Sequence, residues 1–303
     1  MRHTPPRLTA AYLAAACLAA AVGALLMAPI PGQAQAPPAS SADASPTNGS
    51  PPVGPHLGAS PSGGSPSGGS PIEPKAIAVL KAACTTLASA KAMSFHALNT
   101  YEKAARTGQP LYYSTLNEVT FQRPDKLRVI TPGDGVPDAF YYDGKTMMAY
   151  VPSQDLVAVA DAPPTLEAML DAAWEKAAIY FPFADMIVQH PCAVFEEGGL
   201  NTAFYVGQSK VIGGTVTDMV AVAGDNMQAE LWIGAADHLP RLIRVVYPHE
   251  PAHALYQTEY SDWHLMDAAD PAAFHSDKAS QGHEIPFSPP GAAQPRPSSG
   301  AKP

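Results

Sequence analysis

The sequence predicts an α+β fold, in which a large antiparallel β-sheet is covered on one face by a few α-helices. Two apolar strand segments flank Asp143-Gly144, a dipeptide that strongly indicates a β-hairpin. In residues 227–233 apolar and polar side chains alternate, which indicates a strand with one face in water. Only two long segments carry a helical period, and a sheet with one wet face needs such helices to cover the other face.

The first predicted element is a helix that begins at Pro74, because proline suits the first turn of a helix. Apolar residues then recur at helical spacing and would form its buried stripe: Ile77, Leu80, Cys84 and Leu87. A second helix follows the Pro-Pro pair at 163–164, with Thr165 as its N-cap and an apolar stripe through residues 166–177. These two helices are the predicted cover of the sheet.

Strand-like segments fill the rest of the folded part, and turns rich in Gly, Pro and Asp separate them. The predicted strands are residues 95–101, 112–121, 127–130, 140–142, 146–150, 204–212, 216–222, 227–233, 242–247 and 255–263.

Segments with few apolar side chains flank the folded part. The chain has 303 residues, with 33 Pro and 23 Gly, and low-complexity Pro, Ser and Gly sequence fills much of residues 37–74 and 276–303. Such segments cannot offset the entropy lost on ordering. We therefore expect a disordered linker at 37–74, a folded domain at 75–275 and a disordered tail at 276–303.

Residues 1–36 have the pattern of a secretory signal peptide: basic residues, an apolar run and a small-residue Ala-Gln-Ala site. The apolar run, residues 8–27, is about 20 residues long and would span a bilayer if it were not cleaved. An inner-membrane anchor is therefore the alternative. Cys17 follows three alanines, as in a loose lipobox, but the apolar run continues past it, which argues against lipidation. We expect a periplasmic protein.

Cys84 and Cys192 are the only cysteines that remain once the signal is removed. An even number of cysteines in an oxidising compartment favours a disulfide between them. Two separately buried thiols are the alternative. Neither cysteine has a neighbour that would activate a thiolate, so we do not expect a catalytic cysteine.

The charge of the chain argues against a nucleic-acid partner. The sequence holds 18 Lys and Arg against 27 Asp and Glu, for a net charge of −9, and it has no basic run. A phosphate backbone would find no basic surface on such a chain.

Residues 249–253 read His-Glu-Pro-Ala-His and match the HExxH pattern of zinc enzymes. That motif works only on a helix, whereas Pro251 removes a backbone donor and the segment joins two predicted strands. Asp134 and Asp138 lie in a Gly- and Pro-rich loop whose spacing fits no calcium site. No nucleophile elbow or phosphate loop is present. We therefore expect no metal, no cofactor and no catalytic residue.

Three motifs, in their order, resemble a family of predicted periplasmic proteins, domain of unknown function 2092. They are NEVTFQRPDKLR at residues 117–128, the hairpin at 140–150 with its Tyr-Asp-Gly-Lys turn, and Leu-Trp-Ile at 231–233 followed by Leu-Pro-Arg at 239–241. The same order is similar to that of the LolA/LolB-like superfamily of lipoprotein carriers. The resemblance covers about residues 75–265. It implies a curved half-barrel sheet, helices on its concave face, and an apolar cavity between them for acyl chains.

The resemblance implies a non-enzymatic periplasmic binding protein, expected to be a monomer, that holds a lipid, an acyl chain or a lipid-modified partner. An envelope sensory or scaffold protein that binds other envelope proteins through its surface is one alternative, and a hydrolase is another. Apolar residues on the concave face would line the cavity: Phe121, Leu127, Val129, Tyr141, Met148, Tyr150, Trp174, Phe181, Leu231, Ile233, Ile243 and Val245. A slip of one residue along any strand would turn its members to the other face.

Overall fold

The computed structural model of the protein describes residues 71–133, 136–193, 195, 199–249 and 255–289. The predicted signal peptide, most of the predicted linker and residues 290–303 lie outside the described residues. Within the described part, none of the helices combines the length and the apolar character that crossing a bilayer requires.

Each predicted helix and strand has a counterpart in the described part of the structure, which also contains two strands and two short α-helices that the sequence pattern did not predict. The helices are α1 (Pro74–Ser89), α2 (Leu166–Ala177), α3 (Ala184–Ile187) and α4 (Asp277–Ser280). The strands are β1 (Ala92–Ala104), β2 (Pro110–Gln122), β3 (Lys126–Thr131), β4 (Asp138–Tyr142), β5 (Thr146–Val151), β6 (Leu156–Asp161), β7 (Thr202–Ser209), β8 (Thr217–Ala223), β9 (Gln228–Gly234), β10 (Pro240–Val246), β11 (Leu255–Met266) and β12 (His283–Ile285).

These strands form one open 12-stranded sheet in the order β12-β6-β5-β4-β3-β2-β1-β11-β10-β9-β8-β7. Every neighbouring pair is antiparallel except β12 and β6, which are parallel. β1 pairs with β2 on one side and with β11 on the other, so the first strand and the next-to-last strand are neighbours inside the sheet. The predicted α+β class, an antiparallel sheet with a few helices on its concave face, is confirmed.

The predicted hairpin at Asp143-Gly144 connects β4 and β5. Gly144 has a φ of +90°, which a residue without Cβ adopts most readily. A Cβ at this position would also collide with the carboxylate of Asp125. The Asp143 carboxylate accepts hydrogen bonds from the backbone amides of Lys145 and Thr146, at 2.9 and 2.8 Å, and these bonds hold the turn.

The helices cover the concave face in two places. α2 and α3 pack on β1 to β5 over the larger core, which contains Phe95, Phe121, Met147 and Met169. α1 packs on β7 and β8 over a second core, through Ala76, Leu80 and Ala83, and the last residue of its buried stripe, Leu87, belongs to the larger core. The predicted stripe included Ile77 and Cys84 instead of the two alanines, and both are half-buried.

Arg123, at the end of the NEVTFQR strand, joins both helical regions to the sheet. Its guanidinium donates to the carbonyl oxygens of Ala90 at 3.1 Å and of Leu87 at 3.2 Å, at the end of α1, and to that of Ile187, the last residue of α3. A helix leaves these C-terminal carbonyls without intrahelical partners. Burial lowers the pKa of Arg123, and the Glu167 carboxylate opposes this shift.

A disulfide joins Cys84 of α1 to Cys192, which follows α3, with their Cα atoms 5.8 Å apart. That Cα separation is usual for a disulfide. The structure thus contains the predicted disulfide and not two separate thiols. The bond links positions 108 residues apart and fixes α1 to the segment that follows α3.

The folded part extends past the predicted boundary at residue 275. α4 places Ala279 in a buried cluster with Met148, Tyr150 and Val157 on the outer face of the sheet. Beyond it, β12 pairs with β6. The composition of the tail predicted disorder because this segment has few apolar residues. The segment is ordered because it packs on a part of the outer face that is apolar and distant in the sequence.

Candidate functional site

A cavity of about 720 Å³ lies between the concave face and its cover. One end of each of the strands β1 to β6, together with β10 and β11, forms the floor. Residues 177–182, from the last residue of α2 onward, and residues 185–186 of α3 form one wall, and residues 285–289 lie along the border. The cavity is therefore formed by many neighbouring strands of the sheet and not by one loop.

The end of α2 positions the wall of the cavity. The Thr165 hydroxyl accepts from the amide of Ala168 at 3.3 Å, which confirms the predicted N-cap. At the other end Ala178 has a φ of +54°, in the left-handed region, and its amide donates to Trp174 at 2.8 Å. The chain reverses at this point, and the reversal brings Tyr180 and Phe181 to the cavity.

Aromatic rings close the cavity at its inner side. The ring of Phe181 lies 5.1 Å from that of Phe140 on β4 and 5.6 Å from that of Phe183. Phe183 in turn contacts Phe95 on β1 edge-on, at 5.8 Å between ring centroids. Aromatic pairs with this spacing are favourable, so the wall is fixed to the sheet on its inner side.

Asp185 is the carboxyl group of the described wall, and it is half-buried at the cavity. Burial raises the pKa of Asp185 to about 6. No hydrogen bond from a described residue offsets this loss of hydration. Burial, and next the nearby Asp185 carboxylate, also raise the pKa of Tyr180 and of Tyr260 on β11. Asp185 therefore shares its apolar surroundings with two tyrosines.

A row of five polar residues crosses the concave face inside the cavity, one on each of β11, β1, β2, β3 and β4. The Thr258 hydroxyl donates to Asn99 Oδ1 at 2.9 Å, and Asn99 Nδ2 donates to Asn117 Oδ1 at 2.8 Å. Asn117 Nδ2 donates to Thr131 Oγ1 at 3.0 Å, and Thr131 pairs with Asp138 across β3 and β4. Burial raises the pKa of Asp138, and hydrogen bonding from Thr131 opposes this shift. Asn99, Asn117 and Thr131 are buried. We call these five residues the polar row.

Five of the twelve predicted lining residues border the cavity: Val129, Tyr150, Phe181, Ile243 and Val245. Phe121 and Leu127 are fully buried in the larger core, and Leu231 and Ile233 belong to the core under α1. Trp174 is half-buried on α2. Whether the cavity takes a ligand through these residues stays a prediction.

Three of the predicted residues project from the outer face and not from the concave one. Tyr141, Met148 and Tyr150 pack together with Val157 under Ala279 of α4, although Tyr150 also borders the cavity. The inward positions of these two strands are Phe140, Tyr142, Met147 and Ala149. Both faces of β4 and β5 are apolar because each face is covered, so polarity could not indicate which set points inward.

Sequence reasoning missed the polar row, Tyr180, Asp185 and the border at residues 285–289. One signal was available: Asn99 lies two residues after buried Ala97, and Asn117 two residues before buried Val119, so both share the inward parity of their strands. A polar residue at an inward position marks either a buried hydrogen bond or a cavity.

The sequence analysis expected no metal site. Of the five positions of the HExxH-like segment, only His249 is among the described residues. Its ring Nε2 lies 2.9 Å from the carbonyl oxygen of Asp225. The segment connects β10 to β11. Among the described residues, no group of three His, Cys, Asp or Glu side chains is arranged to hold a metal ion.

The chain is similar to several solved structures, all at low identity. The Mycobacterium tuberculosis lipoprotein LppX is 11% identical, with a TM-score of 0.40, over 63% of this chain and 96% of its own. A LolA superfamily protein from Nitrosomonas europaea is 12% identical, with a TM-score of 0.31, over 67% of this chain and 98% of its own. A chain of the Pseudomonas aeruginosa MucA/MucB complex is 13% identical, with a TM-score of 0.39, over 70% of this chain and 64% of its own.

No curated protein matches the sequence. A family model does match it, from the third residue of α1 to the segment that borders the cavity. The matched residues thus include the NEVTFQRPDKLR motif, the Asp143-Gly144 hairpin and the polar row. The chain belongs to the family described as predicted periplasmic protein (DUF2092), whose model matches residues 76–288.

Proposed function

We propose that the protein is a non-enzymatic periplasmic binding protein that holds a lipid, an acyl chain or a lipid-modified partner. The observation that carries this proposal is the cavity of about 720 Å³ between the sheet and its cover. Small-molecule pockets in proteins measure about 300–1,000 Å³. The family's description as periplasmic supports the compartment.

The lining suits an apolar chain because most of its side chains are aliphatic or aromatic, among them Val129, Phe181 and Ile243. Each methylene group sheltered from water is worth about 0.8 kcal/mol. A chain of about ten buried methylenes would thus gain about 8 kcal/mol before the costs of ordering are subtracted. Burial alone can hold such a ligand, and no bond has to be made or broken.

Native mass spectrometry of the full chain purified from a periplasm tests the proposal directly. We expect a co-purifying mass that organic solvent removes, and uptake of a fluorescent fatty-acyl probe by the stripped protein. A clean apo mass together with no probe uptake would refute the carrier. Protein-dependent hydrolysis of a p-nitrophenyl ester would instead support the hydrolase alternative.

A variant that fills the cavity makes the test specific to this site. Ala149 on β5 borders the cavity and points inward, so Ala149→Phe would occupy part of its volume. We expect probe affinity to fall about tenfold or more, the equivalent of losing about two buried methylenes. Ala78→Phe, on the exposed face of α1, is the matched control and should bind as the wild type does.

A scaffold that binds envelope proteins is the second candidate, and one surface favours it. Phe204 and Val206 are 46% and 49% exposed on β7, the last strand at one edge of the sheet. Exposed apolar groups on an edge strand can pair with another protein. If lipid-free protein captured one specific envelope protein and Phe204→Ser abolished the capture, the scaffold would be favoured over the carrier.

A further inference from the structure

The side-chain hydrogen bonds of the polar row are all donated in the same direction, and the row ends at a carboxylate. Each of its hydrogen bonds donates toward β4: Thr258 donates to Asn99, and Asn99 to Asn117. Asn117 donates to the oxygen of Thr131, which leaves the Thr131 hydroxyl proton for Asp138. Such a chain of bonds polarises its members in one direction. Its accepting end is the Asp138 carboxylate at the cavity.

Most hydrogen-bond donors of the polar row are thus already bonded to acceptors within the row. Asn99 Nδ2 also lies 3.3 Å from the carbonyl oxygen of Ala97 and 3.4 Å from that of Thr115, so its amide protons have protein acceptors. An anionic group placed against the row would therefore meet few free donors. A ligand group that donates hydrogen bonds would meet the oxygens of Asp138.

A second carboxylate, Asp185, lies on the opposite wall of the same cavity. The tyrosine hydroxyls of Tyr180 and Tyr260 are the other titratable groups in its field. Tyr260 lies two residues after Thr258, the first residue of the polar row, so both side chains project from the concave face. Polar groups thus run from Asp185 on the wall, by way of Tyr260 and the row, to Asp138.

Cationic side chains are missing from the described lining of this cavity, which contains two aspartates and several tyrosines but no Lys, Arg or His. Two of the basic residues that are next to lining residues in the sequence are engaged elsewhere. Lys176, before Ala177, donates to the carbonyl oxygen of Asp161 at 3.0 Å, and Arg244 lies on the outer face with Gln257 and Glu230. A buried anion would therefore gain no ion pair from the described lining.

We propose that the cavity selects its ligand by charge: it accepts an apolar chain with an uncharged or cationic polar end that donates hydrogen bonds, and rejects one that ends in a free carboxylate or phosphate. The inference rests on the proposed function and narrows its ligand class. An anion in a site of low dielectric constant is repelled by like charges and loses its hydration. Glycerol hydroxyls or an ammonium group instead donate to Asp138 and Asp185.

Three probes with the same dodecyl-length chain test this selection on the full chain: 1-monolaurin, dodecylammonium and laurate. Binding is followed at about pH 8 by isothermal titration calorimetry, at probe concentrations below micelle formation. Asp185 is then ionised, because burial raises its pKa only to about 6. We expect laurate to bind about tenfold or more weakly than 1-monolaurin, equivalent to one pKa unit of unfavourable interaction.

The double variant Asp138→Asn, Asp185→Asn removes both charges while keeping the size of the side chains. We expect laurate affinity to rise about tenfold and monolaurin affinity to change by about twofold or less. If the double variant does not fold, Asp138→Asn alone can be used, because Asp138 is the exposed first residue of β4. We expect this single variant to have a partial effect. Asp267→Asn, which changes a side chain 97% exposed on the surface, is the matched control.

The outcomes separate this inference from the proposed function. Equal or tighter binding of laurate by the wild type would overturn charge selection and leave a lipid-binding cavity in place. A laurate deficit that persists in the aspartate variants would overturn it too, because the carboxylates would not be its cause. If none of the three probes bound, the proposed function itself would fail.

Discussion

Replacing Asp185 with asparagine should stabilise the protein at neutral pH and have much less effect in acid. Asparagine has nearly the same shape as aspartate but carries no charge at any pH. In the wild type, burial raises the pKa of Asp185 from an ordinary 3.8 to about 6. The folded state therefore favours the neutral carboxyl, and ionisation of this group costs folding free energy.

The magnitude and the pH window follow from that shift. A difference of about 2 pKa units corresponds to about 3 kcal/mol. Below about pH 4 the carboxyl is protonated in both the folded and the unfolded chain, and there is no cost. Between about pH 4 and 6 the folded chain binds more protons, so its stability falls as the pH rises. Above about pH 6 the whole cost is present and remains constant.

Urea unfolding of wild type and Asp185→Asn, at about pH 4.5 and about pH 8, measures this dependence. We expect the stability advantage of the variant to be about 1 kcal/mol at the lower pH and about 3 kcal/mol at the higher one. The exposed Asp267→Asn should show a small difference, about 0.5 kcal/mol or less, at both. An advantage of Asp185→Asn that did not grow with pH would refute the claim that Asp185 is desolvated at the cavity wall.

Two further predictions concern how the cover is fixed to the sheet. Replacing both Cys84 and Cys192 with alanine should lower the free energy of unfolding by about 4–5 kcal/mol, since the disulfide closes a loop of 108 residues. Urea denaturation measures this loss. If the wild type were equally stable with and without a reductant, the prediction would be contradicted. Arg123→Met should cost about 3 kcal/mol, because three helix-end carbonyls lose their charged donor. Thermal melting measures that loss, and Lys126→Met, which removes one carbonyl contact and one ion pair with Asp125 at the hairpin, should lower the melting temperature less.

The helical cover could be predicted because its signals are local. Pro74 and Thr165 mark the starts of α1 and α2, and the structure confirms both. The buried stripe of α1 was misplaced because two of its members, Ala76 and Ala83, are alanines. Alanine is common on any helix face, so it gives little information about which face is buried.

The sequence could not predict which side chains of β4 and β5 point to the concave face, because the contact that covers their outer face comes from a segment distant in the sequence. Met148 and Tyr150 are buried on the outer face only because Ala279 of α4 covers them, more than a hundred residues later. From the sequence, either set of alternate residues in these strands was apolar enough to be the core set. Composition also placed α4 in the tail.

The site was only partly predictable for a related reason. Asn99 and Asn117 interrupt the apolar alternation of their strands, and a break of that kind usually indicates a strand end or a loop. Their role depends on partners in other strands; the bond from Thr258 to Asn99 joins residues 159 positions apart. Val129, by contrast, continues the alternation after Leu127, and both residues pack in the larger core.

The polar row also determines how the strands can be aligned. If β2 slipped by one residue against its neighbours, Asn117 would turn to the outer face, and Asn99 and Thr131 would both lose a hydrogen-bond partner in a buried position. Apolar side chains would tolerate such a slip in strands that are apolar on both faces, whereas the row would not. Each of five neighbouring strands thus carries one polar residue, and these residues can form their hydrogen bonds in only one alignment of the strands. The side chains that shape the cavity floor therefore also exclude misaligned versions of the sheet.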